Sequence, residues 1–177
     1  MKLALCFVLC GFLVVATTGQ TTLPIVLKNL GTAVANVANT LKSNFATVQQ
    51  LGGANVVSAL KNLEVELGTF SFTLSANAVN LTQVLSSTVT NVQVTSAFNS
   101  LTVAFIQLNT DLATAFRIKS GQALINAMRN FYLTATPTIT QIMTLLQKTS
   151  GTAAYNVRTG LQALLVDVNA LGVAVLG

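Results

Sequence analysis

In 177 residues the chain carries 9 Lys and Arg, 4 Asp and Glu and no His, so only 7% of it is charged while 52% is apolar; a typical soluble domain is about 25% charged. Intrinsic disorder is excluded by the apolar share, and nucleic acid as a partner by the scatter of the cations, which fall singly rather than on one basic face. The solvent-facing positions of the fold must then be filled by Thr, Asn, Ser and Gln.

Met1-Lys2 followed by the uncharged run Leu3 to Ala16 has the make-up of a secretory signal peptide. The run fits a signal core and falls short of the roughly 20 residues that a membrane span requires. Cleavage is expected after Gly19, with Ala16 as the second choice, so the secreted, extracellular chain starts at Gln20. Both cysteines, Cys6 and Cys10, leave with the signal, and a disulfide framework is excluded. Residues 20–177 have the size of a single helical domain that can fold on its own core. Eight cations remain (Lys28, Lys42, Lys61, Arg117, Lys119, Arg129, Lys148, Arg158) against Glu64, Glu66, Asp111 and Asp167. The positive balance therefore comes from a scarcity of acids.

From Thr21 to Leu51 the large apolar residues Leu27, Leu30, Val34, Val37, Leu41, Phe45, Val48 and Leu51 step by three and four, which predicts one amphipathic helix. Pro24 suits its first turn and Gly52-Gly53 its end. A second helix, to about Ser87, is predicted from Val56, Leu60, Leu63, Leu67, Phe70, Leu74, Ala78, Leu81 and Leu85. Ser87 to Thr95, rich in Thr and Val, reads as well as a strand and is expected to connect helices two and three. The third stripe is Val94, Phe98, Leu101, Phe105, Leu108, Leu112 and Phe116, closed by Arg117 and Lys119, with Gly121 expected to supply the left-handed stop. The fourth begins near Gln122 with Leu124, Met128 and Phe131, is expected to kink or split at Pro137, and resumes through Ile139, Ile142, Met143 and Leu146. The last runs through Ala154, Val157, Leu161, Leu164, Val168, Leu171 and Val175. Helices of about 40 Å joined by a few residues must reverse direction at each connection. The predicted fold is all-α, an antiparallel up-and-down bundle of four or five long amphipathic helices, with no transmembrane segment in the mature chain. Leu27-Lys28-Asn29-Leu30 recurs as Leu60-Lys61-Asn62-Leu63, with Thr40-Leu41 matched by Thr73-Leu74; a helix duplication and chance in a restricted alphabet both account for this.

Enzyme chemistry is missing from the sequence. Without His or mature Cys, the commonest general base, thiolate catalysis and most metal sites are excluded, so no cofactor or metal ligand set is expected. Glu64 and Glu66 are the closest carboxylates, but two residues apart on a helix they point about 200° from one another. Neither a Gly-x-Ser-x-Gly elbow, a Ser-x-x-Lys pair nor a phosphate loop occurs. Asn80-Leu81-Thr82 is an N-glycosylation sequon, with Asn80 the candidate acceptor. Thr134, Thr136, Thr138 and Thr140 alternate around Pro137, a pattern that suits O-glycans, a flat threonine array or a helix break with polar filler.

A signal peptide followed by long, weakly charged amphipathic helices, clearest at Leu23 to Leu51 and Ala154 to Val175, resembles the small secreted insect proteins grouped around the tsetse EP protein domain. It is similar in texture to the fungal hydrophobic-surface-binding proteins. The cysteine-free mature chain departs from the insect group, and the resemblance implies neither a catalytic activity nor named site residues. Three functions fit: a bundle that binds lipid or an apolar interface, a structural or coating protein acting by self-association, and a secreted protein-binding factor. A pore former needs the same helices.

Overall fold

The computed structural model describes residues 23–49, 57–58, 60–65, 67 and 88–177. These are all-α: α1 spans Leu23–Gln49, α2 Thr88–Arg117, α3 Gly121–Gln147 and α4 Thr152–Leu176. Residues 57–58, 60–65 and 67 are also helical, and among the described residues there is no strand. The signal segment, the cleavage site at Gly19 and Gln20, Glu66, Phe70, Leu74 and Asn80 lie outside the described residues.

The helices pack side by side in the order α1, α4, α3, α2, so α4 is flanked on both sides. Apolar residues three and four apart line one face of each helix, and those faces meet in a single core. The Phe105 and Phe131 rings, 4.9 Å apart and tilted by 45°, join α2 to α3. Tyr132 lies over Gly172 while Arg129 reaches the Val175 carbonyl, so α3 and α4 run in opposite directions. Gly160 faces Pro24 and Leu27, and Gly31 faces Leu164 and Asp167. These two pairs make α1 and α4, which no short connection joins, run in the same direction. A Cβ on Gly160 would stand 3.2 Å from the Pro24 carbonyl oxygen. The absence of a side chain there lets the two backbones approach closely.

Three expectations are corrected. Thr88 to Thr95 is the first part of α2 rather than a connection. Val94 is fully buried and continues the stripe of Ala97, Phe98 and Leu101 by one turn, and that burial outweighs the β propensity of Thr and Val. Pro137 does not split α3, which runs continuously through it. It forgoes one backbone hydrogen bond, but it is exposed, whereas Ala135, Ile139 and Ile142 on either side are buried along one line. Packing on both sides of the proline holds the two halves together. The left-handed stop of α2 is Lys119, with φ 53°, and not Gly121, which is the first residue of α3. Ser120 N–H donates to the Ala115 carbonyl (3.0 Å) and Lys119 N–H to that of Phe116 (3.2 Å), the paired bonds of a Schellman motif. Ser120 then caps α3 by accepting from Ala123 N–H at 3.2 Å. One residue thus ends a helix and begins the next, which keeps the connection to three residues.

Candidate functional site

The stripe residues face inward. Leu27, Leu30, Val34, Val37 and Leu41 of α1, Leu60, Leu63 and Leu67, Phe98, Leu101, Phe105, Leu108 and Leu112 of α2, and Leu161, Leu164, Val168 and Leu171 of α4 are buried in the common core. Phe45 and Phe116 pack against its edge, half-buried. These residues meet an interface only if helices part.

A second set of apolar side chains points outward. On α2 these are Val92, Val103 and Ile106, and on α4 Tyr155, Val166, Val173 and Leu176, all at least half exposed. On α4 they fall within the series Tyr155, Thr159, Gln162, Val166, Asn169, Val173, Leu176, which steps by four and three and has Arg158 beside it as its one charge. On α2 the matching series is Val92, Ser96, Asn99, Val103, Ile106 and Thr110, all uncharged. Hydroxyls on these faces are turned into the helix: Thr110 donates to the Ile106 carbonyl (3.0 Å) and Thr159 to that of Tyr155 (3.1 Å). Reading the sequence for its strongest stripe passes over these weaker ones. The signal that finds them is a second three-and-four period, offset by half a turn from the first.

Between α3 and α4 an open groove of about 470 Å³ runs along the outer side of α4. Met143 forms its α3 wall, and Ala163 and Val166 line its floor. At one end the Arg158 guanidinium lies 6.0 Å from the centre of the Tyr155 ring, the outer limit of a cation–π contact. No acid lines the groove.

Asp167 sits on the side of α4 that meets α1, where Gly31 leaves room for its carboxylate. Burial raises its pKa above the ordinary 3.8, because the charged form loses hydration. Arg129 Nη2 donates to the Val175 carbonyl at 3.0 Å, placing a cation at the negative end of α4. Among the described residues no three His, Cys, Asp or Glu side chains converge as a metal site.

Thr134 to Thr140 is helical and is not the helix break of the sequence expectation. Residues two apart on a helix diverge by about 200°, so the threonines split between two sides of α3 and form no flat array. Thr134, Thr138 and Thr140 each donate to the carbonyl four residues back, at 3.0, 2.8 and 2.9 Å. Thr136 Oγ1 is buried and unpaired. By length and composition α4 is apolar enough to cross a membrane, although a little under half of its most apolar stretch is buried in the bundle.

Comparison of the chain with protein-family models, curated proteins and solved structures yields no match.

Proposed function

We propose that this chain is a secreted, non-enzymatic helical bundle that binds lipid or apolar interfaces. The observation that carries the reading is the pair of outer faces on α2 and α4 that carry almost no charge: Val103 and Ile106 stand among uncharged residues, and Val166 and Val173 on a face whose one charge is Arg158. An ordinary surface helix carries Lys and Glu at such positions, and their hydration holds it in water. Apolar burial contributes about 25 cal/mol per Å², so a helix face about 30 Å long and 10 Å wide, roughly half of it apolar, gains on the order of 4 kcal/mol when laid on an interface. A basic residue near an anionic membrane gains only about 1 kcal/mol, and scattered cations engage a few at a time. Adsorption is therefore apolar in origin and nearly independent of salt.

Vesicle flotation and drop tensiometry, with neutral and anionic lipid at low and high salt, test this. Binding to neutral lipid that persists in high salt supports it. Binding confined to anionic vesicles and abolished by salt assigns the effect to charge, and an absence of surface activity under every condition rejects the reading. Mass that rises with concentration, without surface activity, favours a self-associating coat instead.

A further inference from the structure

We propose that the groove between α3 and α4 is a binding site for one long-chain carboxylate, with the carboxylate on Arg158 and the alkyl chain along Ala163, Val166 and Met143. The proposal narrows the lipid reading above to a single ligand and a defined site, and rests on that reading only in taking the ligand to be a lipid.

The chemistry of the groove has two ends. At one end Arg158 is the only cation, no acid lines the groove, and among the described residues the guanidinium's single contact is the Tyr155 ring. Its fork of N–H donors is matched by a carboxylate, which takes two parallel hydrogen bonds and one negative charge. A phosphate monoester would leave charge uncompensated on one arginine. Helical side chains lean toward the N-terminus, and Arg158 accordingly reaches back over Tyr155, three residues earlier. The head group then lies near the first turns of α4, the end of the helix dipole that favours anions.

Away from that end Ala163, Val166 and Met143 make the lining mainly apolar, with Gln162 and Thr159 the polar side chains between Arg158 and Val166. Val166 is eight residues beyond Arg158, about 12 Å along the axis. Met143 supplies an adaptable thioether on the opposite wall. Thr159, between the two ends, has given its hydroxyl proton to the Tyr155 carbonyl and offers its methyl as the free part of the side chain. The open groove, at about 470 Å³, has a volume within the roughly 300–1,000 Å³ common to small-molecule sites. A second copy of the chain fits less well. A single helix face about 30 Å long and 10 Å wide offers far less than the roughly 800 Å² per partner that a stable dimer buries.

Isothermal titration of the secreted protein with unbranched carboxylates of increasing length, each below its micelle concentration, and with the alcohols of the same lengths, tests the site. The expected result is 1:1 binding that tightens by about two- to fourfold per added methylene until the groove is filled. The alcohols should bind about tenfold more weakly. Arg158→Gln should bring the carboxylates down to the alcohols and leave the alcohols unchanged, a pattern that a merely unfolded variant does not give. Val166→Gln should weaken both series alike. Stoichiometry well above one, no binding below micelle formation, or unchanged carboxylate affinity in Arg158→Gln would overturn the proposal. So would a dimer that Val166→Gln breaks and Arg158→Gln spares, which assigns the groove to a second copy. Drop tensiometry on Arg158→Gln separates the two readings, because interface adsorption needs no arginine: saturable titration without surface activity would leave the groove standing and remove the interface.

Discussion

Two neighbouring substitutions test the α2–α3 connection with opposite signs. Lys119 is held at φ 53°, a left-handed conformation that costs a residue with a Cβ about 1–2 kcal/mol. Glycine removes that strain but gives up about 0.5–1 kcal/mol through its freer unfolded chain. Lys119→Gly should therefore stabilise the fold by about 0.5–1 kcal/mol, raising Tm by about 1–4 °C. Gly121 lies against the carbonyl oxygens of Val48 and Gln49. A Cβ there meets main-chain atoms that cannot rotate away, and such overpacking costs about 1–3 kcal/mol. Helix propensity alone predicts the reverse, since alanine inside a helix is favoured over glycine by about 1 kcal/mol. Urea unfolding followed by far-ultraviolet circular dichroism reads both variants. A lower midpoint for Lys119→Gly together with a raised one for Gly121→Ala would place the left-handed residue at Gly121 and refute the connection described.

Other side chains give equally direct measurements. Asp167 has a folded pKa raised above 3.8, so its ionisation opposes folding: the penalty is absent below 3.8 and complete above the raised value. Asp167→Asn should unfold at higher urea than the parent at neutral pH, and the gap should close as pH falls through that window; a less stable variant at neutral pH contradicts the burial argument. Thr136→Val removes a buried hydroxyl without a partner and should stabilise by about 1 kcal/mol, read as a shift in urea midpoint, with a loss of stability pointing to a missed hydrogen bond. Arg129→Met removes the donor to the Val175 carbonyl and should cost about 1–2 kcal/mol, with amide exchange quickening in the last turn of α4; unchanged exchange there would show that the cap is idle.

The helical class and the inward stripes were legible because burial imposes a period. Once Leu27, Val34 and Leu41 must share one face, only a helix satisfies their spacing. Boundaries were less legible, since they depend on single residues. Lys119 carries no sequence mark of a left-handed conformation, and Gly121, which does, is small for another reason, its approach to the end of α1. That α3 continues through Pro137 is not legible, because the local cost of the proline is visible in the sequence and the packing of Ala135 and Ile139 around it is not. The groove was illegible for a similar reason. Met143 and Val166 come from different helices, and their meeting depends on the register between α3 and α4, which Gly172 beneath Tyr132 helps to set.

If the chain adsorbs to apolar surfaces as proposed, hydroxyls bonded within its helices lower the cost of leaving water. A threonine exposed on a helix normally displays a donor, an acceptor and a methyl, but Thr32, Thr110, Thr134, Thr144 and Thr159 each donate to the carbonyl four residues back. The donor is satisfied inside the helix, so leaving water strands no unpaired hydroxyl proton. Such a threonine then loses only the hydration of its oxygen on leaving water, less than a hydroxyl with a free proton loses. Charge should reverse this. Val103→Lys with Val173→Glu places one charge on each outer face, at two positions that are 62% exposed, and leaves the net charge unchanged. Exposed substitutions of this kind change stability by no more than about 0.5 kcal/mol, so the melting curve should stay close to the parent's. Moving each charge into an apolar phase costs about 2.5–3.5 kcal/mol on the membrane-insertion scale, and the two together remove a large part of the gain from laying a helix face on an interface. Drop tensiometry and flotation on neutral vesicles should then show little adsorption by a protein that is still fully folded. Adsorption equal to the parent's would mean that the outer faces of α2 and α4 are not the contact, and that the buried stripes reach the interface by opening the bundle.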